Sequence, residues 1–144
     1  MAGNNTVIVP KNGRIGVAAL TAATTGRTVT GVTGLTLLLA ADATNGTRLD
    51  TIKYISNGAI GSACSANVMR IWTYTGSGNA SLHDEYLISA TTPSATVAGA
   101  TATINYVLPR NQFVVPAGVS VYVSIHTYAG TQDGFNVIAY GGDY

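Results

Sequence analysis

The chain has 144 residues, of which only 9% are charged, with seven Lys or Arg against six Asp or Glu. This balance offers no basic face that could follow a phosphate backbone, so we expect no nucleic-acid partner. The single cysteine, Cys64, excludes an internal disulfide framework and a cysteine-based zinc cluster, and we expect it to be a buried apolar side chain. No apolar run reaches the roughly 20 residues that cross a bilayer, so no membrane insertion is expected, and no export signal is predicted.

The first 27 residues are predicted to form an N-terminal arm outside the folded domain, which takes up residues 28–144. The small residues of this part show no clear helical or strand period. Three of the seven basic residues, Lys11, Arg14 and Arg27, lie in it. Such an arm can lie along a neighbouring subunit or an underlying surface, and a frayed terminus would have the same composition.

From residue 28 onward the chain is predicted to consist of strands separated by turns rich in Gly, Asn and Pro. Residues 35–41 are apolar on both faces, which predicts a strand that is covered on both sides. In the strand at residues 47–56 the alternation slips between Leu49 and Ile52. One residue out of phase predicts a β-bulge at this point.

Residues 68–75 are predicted to form the most aromatic strand of the chain. Period-2 alternation places Arg70, Trp72 and Tyr74 on one face of that strand. Trp72 and Tyr74 are therefore candidates for a subunit interface or for stacking against the ring of a sugar. Burial in the core is the other role expected of Trp72, because aromatic side chains bury about 150–250 Å² each.

The strand at residues 82–89 carries the one acidic pair of the chain, Asp84 and Glu85. Consecutive strand positions point to opposite faces, so the two carboxylates cannot share a glycosidic oxygen. Alternation also predicts His83 on the opposite face from Asp84, and His126 has no sequence neighbour suited to orient it. We therefore predict no enzyme and no catalytic, cofactor-binding or metal-ligating residue, although a Ser-His-Asp arrangement across strands stays open because such partners are spatial.

The last third of the chain contains two alternating runs, residues 119–126 and 135–140. They are predicted to pair as an antiparallel hairpin across the polar connection between them. In total the chain has eight or nine predicted strands and no convincing helix. This pattern predicts an all-β antiparallel sandwich, best matched by a jelly roll, with an immunoglobulin-like sandwich as the alternative.

Four segments resemble a group of small proteins encoded among the structural genes of tailed phages and prophages: GTRLDTIKY, VMRIWTYTGSG with LHDEYLI, LPRNQFVVPAGVSVYVSIHT and FNVIAYGGDY. The resemblance covers residues 46–144, and its closing Gly-Gly-Asp followed by an aromatic residue is the most specific part. It implies a virion protein that is made in the host cytoplasm and decorates the exterior of the capsid as an oligomer.

The partners implied by this resemblance are the major capsid protein and further copies of the chain. A trimer is favoured, because capsid lattices offer threefold positions and closed rings leave no open contacts. In that role Lys11, Arg14 and Arg27 are candidate capsid contacts, while Trp72 and Tyr74 are candidate interface residues. The alternative is a tail-fibre or receptor-binding module that binds carbohydrate through the two aromatic residues. Neither role needs a cofactor.

Overall fold

The computed structural model describes residues 12–106 and 112–144, and these residues form two antiparallel five-stranded sheets packed face to face. The predicted all-β sandwich is confirmed. In chain order the strands are β1 (Asn12–Leu20), β2 (Val29–Thr30), β3 (Thr36–Ala40), β4 (Thr47–Ser56), β5 (Asn67–Tyr74), β6 (Asn79–Ile88), β7 (Thr101–Asn105), β8 (Phe113–Val115), β9 (Ser120–Ile125) and β10 (Phe135–Asp143).

We name the two sheets A and B. Sheet A has the order β1-β10-β4-β7, with β8 also paired to β4, and sheet B has the order β2-β6-β5-β9-β3. Because β7 pairs with residues 51–55 of β4 and β8 pairs with residues 47–49, the two short strands continue each other along the same partner. The one helical segment in the described part of the chain is a single 3-10 turn, Thr131–Asp133, and no helix there is long and apolar enough to cross a membrane.

The core lies between the sheets and is built by the alternation of the strands. Every second residue of a strand points inward, so its apolar side chains meet those of the opposite sheet. Full burial of one such side chain contributes about 1.5–3 kcal/mol. Cys64 is also fully buried, as predicted. The largest fully buried side chains of this core are Leu20, Leu49, Ile52, Tyr54, Met69, Ile71, Val115, Val121, Val123, Ile125 and Phe135.

The β-bulge predicted in β4 is confirmed. Tyr140 lies opposite Thr51 and Gly141 lies opposite Leu49, so Asp50 is the extra residue. A Cβ atom at Gly141 would come within 2.1 Å of the Arg48 carbonyl oxygen. Glycine is therefore required where β10 passes the bulge.

The predicted arm is wrong for residues 12–20. They form β1, which pairs with β10 along its whole length and ends on the buried Leu20. The inner face of β1 carries small residues because β3 lies close to it, and a Cβ atom at Gly16 would come within 2.4 Å of the Leu38 carbonyl oxygen. Because the inward residues Gly16 and Ala18 are small, the alternation of large apolar and polar residues that indicates a strand is absent here.

The predicted hairpin between the last two long runs is also wrong. β9 belongs to sheet B, where it pairs with β5 and β3, whereas β10 belongs to sheet A, where it pairs with β1 and β4. The connection between them crosses from one sheet to the other. Sheets that face each other lie about 10 Å apart, a distance that this connection can span.

Residues 21–35, which we call the strap, cross the outer face of sheet B. The strap begins with a hydrogen bond from the Thr24 amide to the Ile125 carbonyl oxygen, 2.7 Å long. It contains β2, which pairs with the start of β6. The outer face of sheet B is thus covered by the chain itself.

Candidate functional site

The aromatic residues predicted as contact candidates lie beneath the strap. Trp72 has no exposed surface and packs with Val29 and Ala80, while its indole Nε1–H donates to Ser124 Oγ at 2.9 Å. A ring enclosed in this way has no face to offer to a sugar. The glycan-stacking candidate is therefore wrong for Trp72, and its alternative role in the core holds.

Tyr74 belongs to the same outer cluster but is only half-buried. Its ring meets the ring of Tyr122 edge to face, with the centroids 6.2 Å apart. The two rings steady each other at the end of the strap, because aromatic pairs in this arrangement are favourable beyond their buried area. Tyr74 keeps some accessible surface and stays a candidate contact residue.

Arg70 makes the main polar contacts between sheet B and the strap. No pattern in the sequence singles it out. Its Nε–H donates to Glu85 Oε1 at 2.7 Å, and its Nη1 donates to the Thr24 carbonyl oxygen at 2.7 Å. The hydrogen bond from Arg70 is the main reason that the pKa of the Glu85 carboxyl is lowered, with Arg27 adding to it. Arg70 therefore fastens the strap to the sheet.

The predicted basic contacts are separated by the fold. Arg14 lies in β1, where it is 3.2 Å from the Asp143 carboxylate and donates to the Ala40 carbonyl oxygen at 2.7 Å. Arg27 lies in the strap and pairs with Glu85 at 2.5 Å. Lys11 lies outside the described residues. Both described arginines are thus engaged in ion pairs within the chain.

The outer face of sheet A differs from that of sheet B, because no described segment covers it. We call it the open face. Ile15 and Val17 of β1 are 68% and 66% exposed, and Tyr140 of β10 is 45% exposed. The pairing of the strands places its residues in three rows: Ile15, Tyr140, Thr51 and Asn105; Val17, Ile138, Lys53 and Thr103; Ala19, Asn136, Ile55 and Thr101.

The open face is almost without charge. Lys53 is the one charged residue in its three rows, and the remaining residues are aliphatic, aromatic, hydroxyl or amide side chains. β1 is the last strand of sheet A, and its outer edge pairs with no strand of the described residues. An apolar face beside an unpaired strand edge is a typical site of association.

A polar cavity of about 240 Å³ lies between β6 and β7, at the edge of sheet A farthest from β1. It is formed because β6 and β7 belong to different sheets whose edges lie side by side there. Its described lining comes from β6, from the end of β7 with the residue after it, and from the residue just before β8: His83, Asp84, Tyr86, Ile104, Asn105, Tyr106 and Gln112.

A β-bulge in β6 decides which side chains reach this cavity. Ile71 pairs with Asp84 and Trp72 pairs with Leu82, so His83 is the extra residue. The prediction that His83 points away from Asp84 is therefore wrong, and both residues line the cavity. Glu85 does point to the other face, as predicted, where it meets Arg70.

The aromatic and acidic groups of the cavity are closely coupled. The His83 ring stacks on the Phe113 ring, with centroids 3.9 Å apart and planes 8° apart. Burial lowers the pKa of His83, although Asp84 acts in the other direction. The Tyr86 hydroxyl donates to Asp84 Oδ2 at 2.5 Å, and burial together with this hydrogen bond raises the pKa of Tyr86 to about 12.

No family model, curated protein or solved structure matches the chain. The arrangement of its side chains is therefore the guide to its function. In the part of the chain that the structure describes, no group of three or more His, Cys, Asp or Glu side chains is placed to hold a metal ion. Those residues that are described around the polar cavity supply donors and acceptors and include no Ser or Cys nucleophile. Binding, through the open face or the cavity, is the chemistry that the arrangement suits.

Proposed function

We propose that the chain is a structural protein of a tailed-phage virion that decorates and stabilises the outside of the capsid as an oligomer. The observation that carries this proposal is the open face, where Ile15, Val17 and Tyr140 leave apolar surface exposed beside an edge strand. Contiguous apolar surface on a free monomer promotes association. In a protein that is part of an assembly, the same surface is buried against its partners.

Burial of the open face would supply the energy of attachment. Apolar surface contributes about 25 cal/mol per Å² removed from water, before the cost of association is subtracted. A specific interface buries roughly 1,200–2,000 Å² in total. Because Lys53 is the one charged residue in the three rows of the open face, and Arg48 in the next row is already paired with Asp50, little charge has to be desolvated when a partner covers these rows.

The partners in this proposal are the major capsid protein and further copies of the chain. The resemblance of residues 46–144 to phage structural proteins supports a place on the capsid exterior after synthesis in the host cytoplasm. A trimer is favoured because a closed ring satisfies every heterologous contact. Arg14 and Arg27 already have partners within the chain, so attachment rests on the open face more than on these charges.

We also infer that the sandwich is a jelly roll. The order of the strands supports this, because the chain changes sheet at six of the nine connections between these strands and β10 returns to lie beside β1. Paired Greek keys of this kind make a rigid scaffold from eight main strands. A decorating protein needs such a scaffold and no catalytic group.

The alternative function, a tail-fibre or receptor-binding module, requires Trp72 and Tyr74 to stack against sugar rings. Trp72, the larger of the two aromatic residues, is fully buried and has no surface for such stacking. A carbohydrate site would have to lie elsewhere on the molecule.

The proposal is tested by light scattering of the purified protein and by its co-sedimentation with empty capsids assembled from the major capsid protein of the same genome. We expect an oligomer that binds capsids at a saturating, countable number of copies. A double variant, Ile15→Ser with Val17→Ser, should keep the fold and lose capsid binding. The matched control is Leu87→Ser with Ile60→Ser, which changes two exposed aliphatic residues outside the open face, 76% and 75% exposed.

A monomer that does not sediment with capsids would overturn the proposed function. Equal capsid binding by both double variants would keep the capsid role but remove the open face as its contact surface.

A further inference from the structure

We propose that the polar cavity between β6 and β7 binds one neutral pyranose unit of a glycan. This inference goes beyond the capsid role and does not depend on it, because the cavity lies at the β7 edge of sheet A and meets the open face only at Asn105, whereas Ile15 and Val17 lie at the other edge. The glycan would be recognised by hydrogen bonds to its hydroxyl groups rather than by stacking on Trp72.

The cavity owes its hydrogen-bonding groups to the bulge in β6. Without the extra residue, alternation would direct only one of His83 and Asp84 into the space between the sheet edges. The bulge brings both to the cavity, and Tyr86 follows two positions later on the same side. β-bulges are often found beside binding sites for this reason, since they re-aim a side chain.

The lining offers donors and acceptors within a short distance of one another. Asp84 contributes carboxylate oxygens, Gln112 and Asn105 contribute amides, and Tyr86 contributes a hydroxyl. Each hydroxyl group of a sugar is both donor and acceptor, so a sugar suits this mixture better than an apolar ligand does. The Tyr106 ring and Ile104 supply apolar surface for the C–H groups of the sugar ring.

The charge of the cavity selects for a neutral ligand. None of the described lining residues is Lys or Arg, and Asp84 is the one carboxylate among them. Burial raises the pKa of Tyr86 to about 12 and raises that of Tyr106 still further, so both phenols stay protonated near neutral pH. Among the described lining residues a phosphate or an acidic sugar would meet the Asp84 carboxylate and no cation, and the nearby Arg27 is already paired with Glu85.

The cavity also contains a buried hydroxyl group, that of Tyr106. It lies beside the Tyr86 hydroxyl, and no described residue provides it with a hydrogen bond of good geometry. Because Tyr86 donates to Asp84, a ligand that competes for Asp84 would free the Tyr86 hydroxyl to turn toward Tyr106.

The size of the cavity limits the ligand to a single ring. Its volume of about 240 Å³ is smaller than the roughly 300–1,000 Å³ of pockets that hold drug-sized molecules. A terminal sugar of a glycan, or a branch that presents one ring, fits this limit.

The test is ligand-observed saturation-transfer NMR with glucose, galactose, mannose and N-acetylglucosamine, with glucuronic acid as the anionic comparison. We expect at least one neutral sugar to bind with a Kd of about 1–10 mM, as few hydrogen bonds and little area are involved. The amide shifts of the wild-type protein should change along β6 and at the end of β7, and not along β1 at the far edge of the open face.

Two variants locate the site. Asp84→Ala should weaken binding at least about tenfold, since hydrogen bonds to a charged group are stronger than those between neutral groups. Tyr86→Phe should weaken it about two- to tenfold, and Tyr140→Phe, which removes a hydroxyl from the open face, should leave it unchanged.

The proposal is overturned if no neutral sugar binds, if glucuronic acid binds more tightly than the neutral sugars, or if folded Asp84→Ala and Tyr86→Phe both bind as the wild type does. Shifts confined to the strap would overturn it as well. None of these outcomes bears on co-sedimentation with capsids, so the two proposals fail separately.

Discussion

The outer faces of the two sheets carry apolar and aromatic side chains alike, yet the described residues cover only one of them. On sheet B the strap lies over Trp72 and is held by Arg70. On sheet A, Ile15 and Val17 remain exposed. Apolar side chains on the outer face of a sandwich thus have two fates in the same molecule.

Apolar burial on the two faces stabilises two different processes, folding and association. Burial beneath the strap contributes to folding, because it occurs within the chain. The apolar surface of the open face contributes only when another molecule covers it. Substitutions on the two faces should therefore separate cleanly into effects on folding and effects on association.

Trp72→Ala is expected to have the largest effect on folding. Loss of a fully buried Trp costs about 3–5 kcal/mol, and the Ser124 hydroxyl loses its partner as well. Tyr140→Ala, on the open face, should change the free energy of unfolding by about 0.5 kcal/mol or less. Urea denaturation of both variants measures the difference, and similar losses would mean that the two faces are not distinct.

Arg70→Met is expected to have the second-largest effect on folding stability. It leaves the Thr24 carbonyl oxygen without its Arg70 donor and leaves the Glu85 carboxylate with Arg27 alone, at a cost of about 2–4 kcal/mol. The matched change is Arg48→Met in sheet A, where the ion pair with Asp50 is solvent-accessible and contributes about 0–1 kcal/mol. Limited proteolysis should then cut the Arg70→Met variant first within residues 21–35. Equal losses of stability for the two arginine variants would contradict a fastening role for Arg70.

Gly16→Ala tests whether residues 12–20 are a packed strand. The added methyl group would meet the Leu38 carbonyl oxygen, so we expect a loss of about 1–3 kcal/mol. Gly13→Ala is the control on the same strand, because nothing lies within 4 Å of the new Cβ atom. If thermal denaturation finds both variants equal to the wild type, the strand is a loose arm after all.

The smallest effect is expected from acidification, which should lower the stability of the strap through protonation of Glu85. Its pKa is lowered in the folded state, so the unfolded chain takes up the proton first as the pH falls. The stability that the carboxylate contributes is present above its ordinary pKa of 4.5 and is lost as the pH falls through the lower folded value. A Glu85→Gln variant should therefore lose less stability on acidification. Parallel stability curves for variant and wild type would show that the strap does not depend on this charge.

Strand alternation predicted most of the strands and the bulge at Asp50, because a strand with one buried face has a period of two. The same alternation cannot say which strand is the partner, and so the hairpin between β9 and β10 was wrong. β1 was missed because Gly16 points inward and Ile15 points outward, which reverses the usual pattern.

Little of the candidate site could be predicted. The open face became visible only once β1 was placed in sheet A, and the cavity depends on an extra residue in β6 that alternation does not reveal. Trp72 could be recognised as a residue of large buried area, but its partner was the strap rather than another molecule. Sequence pattern identifies a buried face without identifying what buries it.

The position of β10 has a consequence for how the protein is made. β10 lies between β1 and β4, so the centre of sheet A is filled by a segment that leaves the ribosome after all the other described strands. Until then two strands made much earlier have no common partner, and the pairings to be closed span nearly the whole described chain. Such long-range pairings form slowly, on a scale of about milliseconds to seconds. The sandwich should therefore be completed only after β10 has been made, with β1 and β4 lacking their shared partner until then.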